Sequence, residues 1–438
     1  MAEKIVSPGV FTRENDLSFL PAGVGAIGAA IVGPTVKGPA GIPTMVTSYA
    51  EYVEKFGDTF QSGSDYYQYL TSHTAERYLQ FGGALTVVRV AGTGVSVATA
   101  SANTSSAATS VGGKVFTLHT LAHGSVLNNA GSTVGENQQL SDGTKDNLRW
   151  EVTGKNDITG TFNLLLRRGN DTSNNKVILE QFNGVNLDPN SPNYISKAIG
   201  DSFDTTAGTA SDPYIQANGS YVRKSSYIRV EVHKQTVNYL DENGSIRLSA
   251  ASASLPANGS GSLHGQFGGG SDGATVAGAK LFYDTITDLN TQGLDANDLS
   301  NTNGGVKYAE ALQLLANQDF YDINMIIVPG VNQKDHAAVV NKAITVCETR
   351  GDAIAIVDPV RYGTTTLSTV TGEANDYNSS YAAMYWPWVQ IADNQLGKNV
   401  WVPPSVVMPG VMAYSDNVAA EWYAPAGLNR GGITAIKA

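Results

Sequence analysis

INMIIVPGVNQKDHAAVVNKAITVCETRGDAIAIVDP, residues 323–359, is the stretch from which the fold class is read. It opens with an apolar run at 323–328 closed by Pro329-Gly330. Ala337, Val340, Ile344 and Cys347 then recur at helical spacing, and Gly351 stops the helix. A second apolar run, 353–357, ends at Asp358-Pro359. Two runs that are apolar on both faces, joined by a one-sided helix, make a β-α-β unit. Such strands belong in a parallel sheet covered by helices, with a right-handed crossover.

Outward from this unit, Tyr308, Leu312 and Leu315 share a helix face just before it. The same mixed pattern stands near the N-terminus, where the small β-prone run 24–32 ends at Gly33-Pro34. Ser48 and Glu51 form a capping box for a short helix that Gly57 would end. A second helix is expected over 64–81, with Tyr67, Leu70, Tyr78 and Phe81 on one face, followed by a strand at 85–90. Residues 21–92 and 306–438 are therefore expected to form one interrupted α/β core, preceded by an extended arm at 1–20 that lacks apolar bulk.

The interruption, 93–305, has another character. VSVATASANTSSAATSVGG, 95–113, reads as a low-complexity joint too poor in large apolar side chains to pack. Short β-prone runs at 115–118, 162–166, 177–179 and 227–232 follow between Asn, Asp and Gly clusters. This predicts an outward-facing, mostly antiparallel insertion of one or two subdomains, with a mobile loop at 251–273. The expected fold class is thus α+β and multidomain.

Composition narrows the function. A chain of 438 residues, 42% hydrophobic, is long enough for more than one core. Its formal charge of −11, with no basic cluster interleaved with aromatics, disfavours direct nucleic-acid binding. Cys347 stands alone, which excludes an intrachain disulfide framework or a multi-cysteine metal knuckle. MAEKIVSPGV has no secretory character, and no apolar run reaches membrane-spanning length.

Two local patterns suggest chemistry. Gly23, Gly25 and Gly28 satisfy G-x-G-x-x-G, but no strand precedes them and a β-like run follows, so a glycine-rich strand entry is the better reading and no cofactor is expected. His119 and His123 stand four apart, as two helical metal ligands would. The preceding VFTL favours a strand, on which surface or hydrogen-bonded histidines are expected instead of a metal pair.

SPGV at Ser7, Pro8, Gly9 and Val10, TRE at 12–14, AAIVGPTVKGP at 29–39 and PPSVVMPGVMAYSDNVAAEWYAPAG at 403–427 carry a family resemblance. KFG at 55–57, TVVRV at 86–90 and APAGLNRG at 424–431 extend it. In this order the motifs resemble the contractile tail sheath proteins of myovirus-type, T4-like bacteriophages. The resemblance covers both flanking blocks and little of the insertion. It implies a subtilisin-like α/β core, a protruding variable domain, and an arm at Ser7–Val10 that pairs with neighbouring subunits. It further implies a non-enzymatic subunit of the virion tail, assembled in the host cytoplasm as a helical homo-oligomer of stacked rings. Its partners would be further copies of itself, the inner tail tube, the baseplate and the tail terminator, with no cofactor and no metal. In the family a further domain follows the APAGLNRG-like element, whereas this chain stops at Ala438, so the polypeptide alone is expected to be a folded monomer.

A subtilisin-like topology raises Ser-His-Asp catalysis, but no G-x-S-x-G elbow occurs, and His73 and His336 lie in helical patterns. No catalytic residue is therefore assigned. Trp386, Trp388, Trp401 and Trp422 crowd the last segment, where a core lid and a subunit contact surface are equally good readings. Two other functions stay open: a sheath-like protein of a non-viral contractile injection system, and a carbohydrate- or surface-binding module built on the insertion.

Overall fold

The computed structural model describes residues 28–62, 64–104, 113–129, 139–247, 251–259, 265–276, 283–420 and 422–438. The expected arm, with Ser7, Pro8, Gly9 and Val10, lies outside the described residues, as do Gly23 and Gly25.

A six-stranded sheet runs in the order Ala382–Met384, Ile354–Asp358, Ile323–Asn332, Gly28–Gly33, Leu85–Arg89, Thr44–Val46. Every pairing is parallel except the last. Chain from both sides of the insertion thus shares one sheet, and Gly28–Gly33 at its centre is buried throughout. Strand alternation sends successive residues to opposite faces. Ala30, Val32 and Val88 pack with Tyr308, Leu312, Val340 and Cys347 on one side. Ala29, Ile31 and Val87 pack with Tyr52, Phe56, Ala75 and Met408 on the other. Helices Gly305–Leu314 and Gln333–Arg350 cover the first face, and Tyr49–Phe56, Leu70–Leu79 and Pro404–Val418 the second.

The helix ends follow their local chemistry. Ser48 Oγ accepts the Glu51 N–H at 3.2 Å, while Glu51 Oε2 reaches back to the Thr47 N–H at 2.8 Å. Asn332 caps Gln333–Arg350 by accepting the Asp335 N–H at 3.0 Å. Gly351, at φ +75°, closes that helix in the left-handed conformation.

Four expectations need correction. The helix expected over 64–81 is a hairpin, Thr59–Ser62 against Asp65–Gln68, followed by the helix Leu70–Leu79. Tyr67 faces Phe60 across the hairpin at 5.9 Å, and Gln68 Nε2 donates to Asp58 Oδ1 at 2.7 Å, contacts a helix at this place could not make. The strand expected to end at Pro329-Gly330 continues to Asn332 through a register shift, which accommodates a residue lacking an N–H.

The supposed joint at 95–113 supplies a nine-residue strand, Val95–Asn103. Its Ala98, Ala100 and Ala102 are buried because their small size leaves room for Phe116, Phe162 and Leu166 in the same core. The supposed mobile loop at 251–273 buries Leu255 and Phe267, and pairs Ser271–Asp272 with the start of the alanine-rich strand.

The insertion is antiparallel throughout its named pairings. A four-stranded sheet, Ile228–Val232, Lys114–His123, Val95–Asn103, Ser271–Asp272, shares its core with a three-stranded one, Ile178–Asn186, Thr161–Arg168, Leu148–Asn156. A separate hairpin pairs Phe203–Thr209 with Asp212–Asn218. Further along, Leu294 and Ala296 pack on the α/β sheet, and the Gln292 side chain accepts the Leu70 N–H at 2.7 Å.

Insertion and core meet at Arg89, whose side chain is fully buried. Its Nη1 donates to the carbonyls of Gly38 (3.0 Å) and His123 (2.7 Å), and its Nη2 to Asp272 Oδ1 at 2.7 Å. Replacing Asp272 by alanine leaves this guanidinium without its carboxylate. The expected loss is about 2–4 kcal/mol, below the most deeply buried pairs because Asp272 is 28% exposed. Urea unfolding measures it; a loss under about 0.5 kcal/mol, the scale of an ordinary surface change, would show that the pair contributes nothing.

Candidate assembly surface

The last segment is organised by the hairpin Val389–Asp393 and Lys398–Val402. Val389, Ile391, Val400 and Val402 alternate inward and pack with Leu70, Val406 and Val407. Tyr362 sits among Trp388, Trp401 and Tyr283, with ring centroids 5.8, 5.3 and 4.8 Å away. Trp388, only 7% exposed, also donates its indole N–H to the Val360 carbonyl at 3.0 Å. It packs in the chain's own core, as the lid reading of this segment has it, and Trp401 is half-buried in the same cluster.

The other two tryptophans face outward, Trp386 at 42% and Trp422 at 84% exposure. Trp422 belongs to a stretch that follows the helix Pro404–Val418 without regular structure. Tyr423, Leu428, Ile433 and Ile436 are exposed there too, Leu428 at 99%. An open cleft of about 480 Å³ is lined by Val418, Ala419 and residues 426–430. The chain then returns to the hairpin edge: Gln390 N–H donates to the Lys437 carbonyl at 2.8 Å, and Ile436 N–H to the Gln390 carbonyl at 2.7 Å. Residues 436–437 therefore make a single antiparallel bridge to the edge of a two-stranded sheet. Exposed apolar residues next to an edge that accepts an added strand are the features of an association surface.

The sequence patterns that suggested chemistry resolve into structural contacts. His119 Nε2 is 2.9 Å from Glu231, whereas His123 Nδ1 accepts the Ala40 N–H at 3.4 Å. No group of three or more His, Cys, Asp or Glu converges among the described residues. Gly28 begins a strand, not the strand-to-helix turn that a phosphate needs.

His73 lies 3.7 Å from Asp393, and burial holds its imidazole down at about 4, hence neutral at neutral pH. His336 Nε2 meets the Thr287 carbonyl at 2.9 Å. Ser405 donates its hydroxyl to Asp358 at 2.6 Å and its N–H at 3.0 Å, anchoring the start of the helix Pro404–Val418 to the end of a sheet strand. Neither member of that pair is a histidine. Sequence reasoning missed this contact, because Asp358 and Ser405 are 47 residues apart and neither stands in a catalytic motif.

The two kinds of tryptophan should separate in stability measurements. Trp388→Ala is expected to cost about 3–5 kcal/mol through its cavity. Trp422→Ala should stay within about 0.5 kcal/mol in the monomer. Comparable losses for both would contradict the assignment.

Burial raises the Asp358 carboxyl to about 7 despite the two bonds from Ser405, which favour its charge. Its stability contribution is fully present below the ordinary carboxylate range and is lost as pH rises through 7. Asp358→Asn removes this titration, so the variant should gain stability relative to the parent between about pH 5 and pH 8. Parallel urea midpoints at both pH values would overturn the assignment.

No protein-family model matches the sequence, and no curated protein is significantly similar to it. Among solved structures the chain is similar to the sheath tail protein of Desulfitobacterium hafniense, at 11% identity and TM-score 0.42, over 92% of this chain and 62% of that one. It is also similar to the sheath tail protein Lin1278 of Listeria innocua, at 13% identity and TM-score 0.44, over 89% and 56% respectively. The chain thus spans roughly six-tenths of the length of those two proteins.

Proposed function

We propose that the chain is a structural subunit of a contractile phage tail sheath, polymerising with its own copies around an inner tail tube and shortening to drive that tube through the host envelope. The observation that carries the reading is the segment after residue 418, where exposed Trp422, Tyr423 and Leu428 precede a backbone bridge from residues 436–437 to a hairpin edge. It overlaps the 403–431 stretch in which the family motifs are most continuous. An edge that accepts the chain's own end can accept an equivalent strand from a neighbour, at little cost in new structure.

On this reading the subunit is not an enzyme and consumes no nucleotide. The work of contraction comes from a metastable lattice released when a baseplate contact switches a bistable interface. Its partners are other subunits, the tail tube, the baseplate and the terminator, and its place is the virion tail. The arm, with Ser7, Pro8, Gly9 and Val10, ties neighbouring subunits together, and Trp386 and Trp422 contribute to their contacts.

The gene's complete product, expressed with its genomic neighbours, is expected to form tubes of stacked rings in electron micrographs. Deleting residues 1–20 should abolish the tubes while leaving the monomer's melting temperature within about 2 °C, since the arm has no core of its own. Failure of the complete product to form tubes would overturn the reading. Flanking capsid and terminase genes would distinguish a virus from a non-viral injection system.

A further inference from the structure

The insertion carries an open cleft of about 630 Å³, within the range of small-molecule sites, bounded by the short helix Ile195–Ile199, the hairpin base at Phe203 and the strand Ile228–Val232. On that strand Ile228 and Val230 are buried in the core, which turns Arg229 and Glu231 to the opposite face. The Arg229 guanidinium lies 4.0 Å over the Phe203 ring and makes no hydrogen bond among the described residues. Facing it, Asp201 Oδ1 accepts the N–H groups of Ser220 at 2.8 Å and Tyr221 at 2.6 Å. These bonds set the carboxylate in a fixed place and leave Oδ2 without a hydrogen-bond partner among the described residues. Tyr221 meets the buried Tyr194 edge to face at 5.9 Å, and exposed Gln235 completes the rim.

The arrangement combines a planar donor, two carboxylates, an amide and aromatic surface. A free anion suits it poorly, since the carboxylates of Asp201 and Glu231 line the same cleft as the Arg229 guanidinium. A hydroxyl suits it well. It donates to a carboxylate and accepts from a guanidinium at once, and neighbouring hydroxyls on a sugar ring offer that pair at the spacing of a fork. The apolar C–H face of such a ring packs on aromatic carbon. An already stacked guanidinium and a backbone-held carboxylate also reduce the ordering cost of binding.

We propose that this cleft binds a neutral hexose-containing saccharide, with Arg229 and Asp201 holding adjacent hydroxyls, Gln235 a further one, and Phe203 and Tyr221 the ring. The insertion then has a recognition role of its own, independent of subunit assembly.

Calorimetric titration of the full chain with cellohexaose, maltohexaose, chitohexaose, hexagalacturonate and inorganic phosphate tests this. At least one neutral hexaose is expected to bind. Its affinity should fall about tenfold or more in Arg229→Gln, the scale of losing one charge-assisted contact. Gln235→Ala, an exposed change that leaves the fold intact, should weaken the same sugar and not the melting curve. Three outcomes each overturn the proposal: no binding of any neutral hexaose, binding of hexagalacturonate or phosphate alone, and neutral binding that survives both substitutions. Tube formation is read separately, so failure here leaves the assembly reading standing.

Discussion

Arg89 is the constraint on which the relation between the two halves of the molecule depends. It ends a strand of the parallel sheet, yet its two Nη groups are held by the carbonyl of Gly38 in the core and by His123 and Asp272 in the insertion. A buried cation without acceptors is too costly to keep, so the insertion must dock where these acceptors converge. The approach is close enough to require glycine at 124: with φ at +122°, a Cβ there would lie 2.7 Å from Asp272 Oδ1. The entry of the insertion is pinned beside it. Gly92 N–H donates to the Asp272 carbonyl at 3.0 Å and Ala274 N–H to the Thr93 carbonyl at 2.8 Å.

Other contacts reinforce the same docking. Lys37 pairs with Asp146 at 3.0 Å, Tyr227 donates to Glu54 at 2.8 Å and Thr206 to the Gly41 carbonyl at 2.9 Å. Exposed members of this set contribute little individually. Together they oppose rotation about the Arg89 joint. Within the insertion a second buried charge network does comparable work: Arg149 and Arg167 both bind Asp171, and Arg167 also reaches Glu151. Asp171 thereby holds the turn after Thr161–Arg168 against two adjacent strands. Every charge in it has an opposite partner at hydrogen-bond distance, the condition under which such a network can persist in a dry core.

The two proposed surfaces differ in how they are built. The proposed association surface is a segment with large apolar side chains in solvent, held to a hairpin edge by the backbone bonds between Gln390 and residues 436–437. Segments with few contacts and exposed hydrogen bonds open at low cost, as the proposed strand exchange would require. The cleft in the insertion is instead preorganised, with Asp201 fixed by two backbone donors and Arg229 stacked on Phe203. One surface is suited to replacing one strand by another, the other to holding a small molecule.

The sequence by itself determined the features that depend on near neighbours. Alternation and helical spacing placed the β-α-β unit at 323–359, and capping chemistry placed the helix boundaries at Ser48 and Gly351. The antiparallel insertion was legible in its turn clusters. The tertiary structure decided what depends on partners far along the chain. Val95–Asn103 is a core strand because aromatic residues elsewhere fill the space its alanines leave, and 65–68 is a strand because Asp58 and Phe60 provide its cross-strand partners. Trp388 and Trp422 look alike in sequence. One is buried because Tyr362 and the Val360 carbonyl lie beside it, and the other is exposed because no such neighbours surround it among the described residues. Periodicity records which face of an element is apolar, whereas only packing records what that face meets.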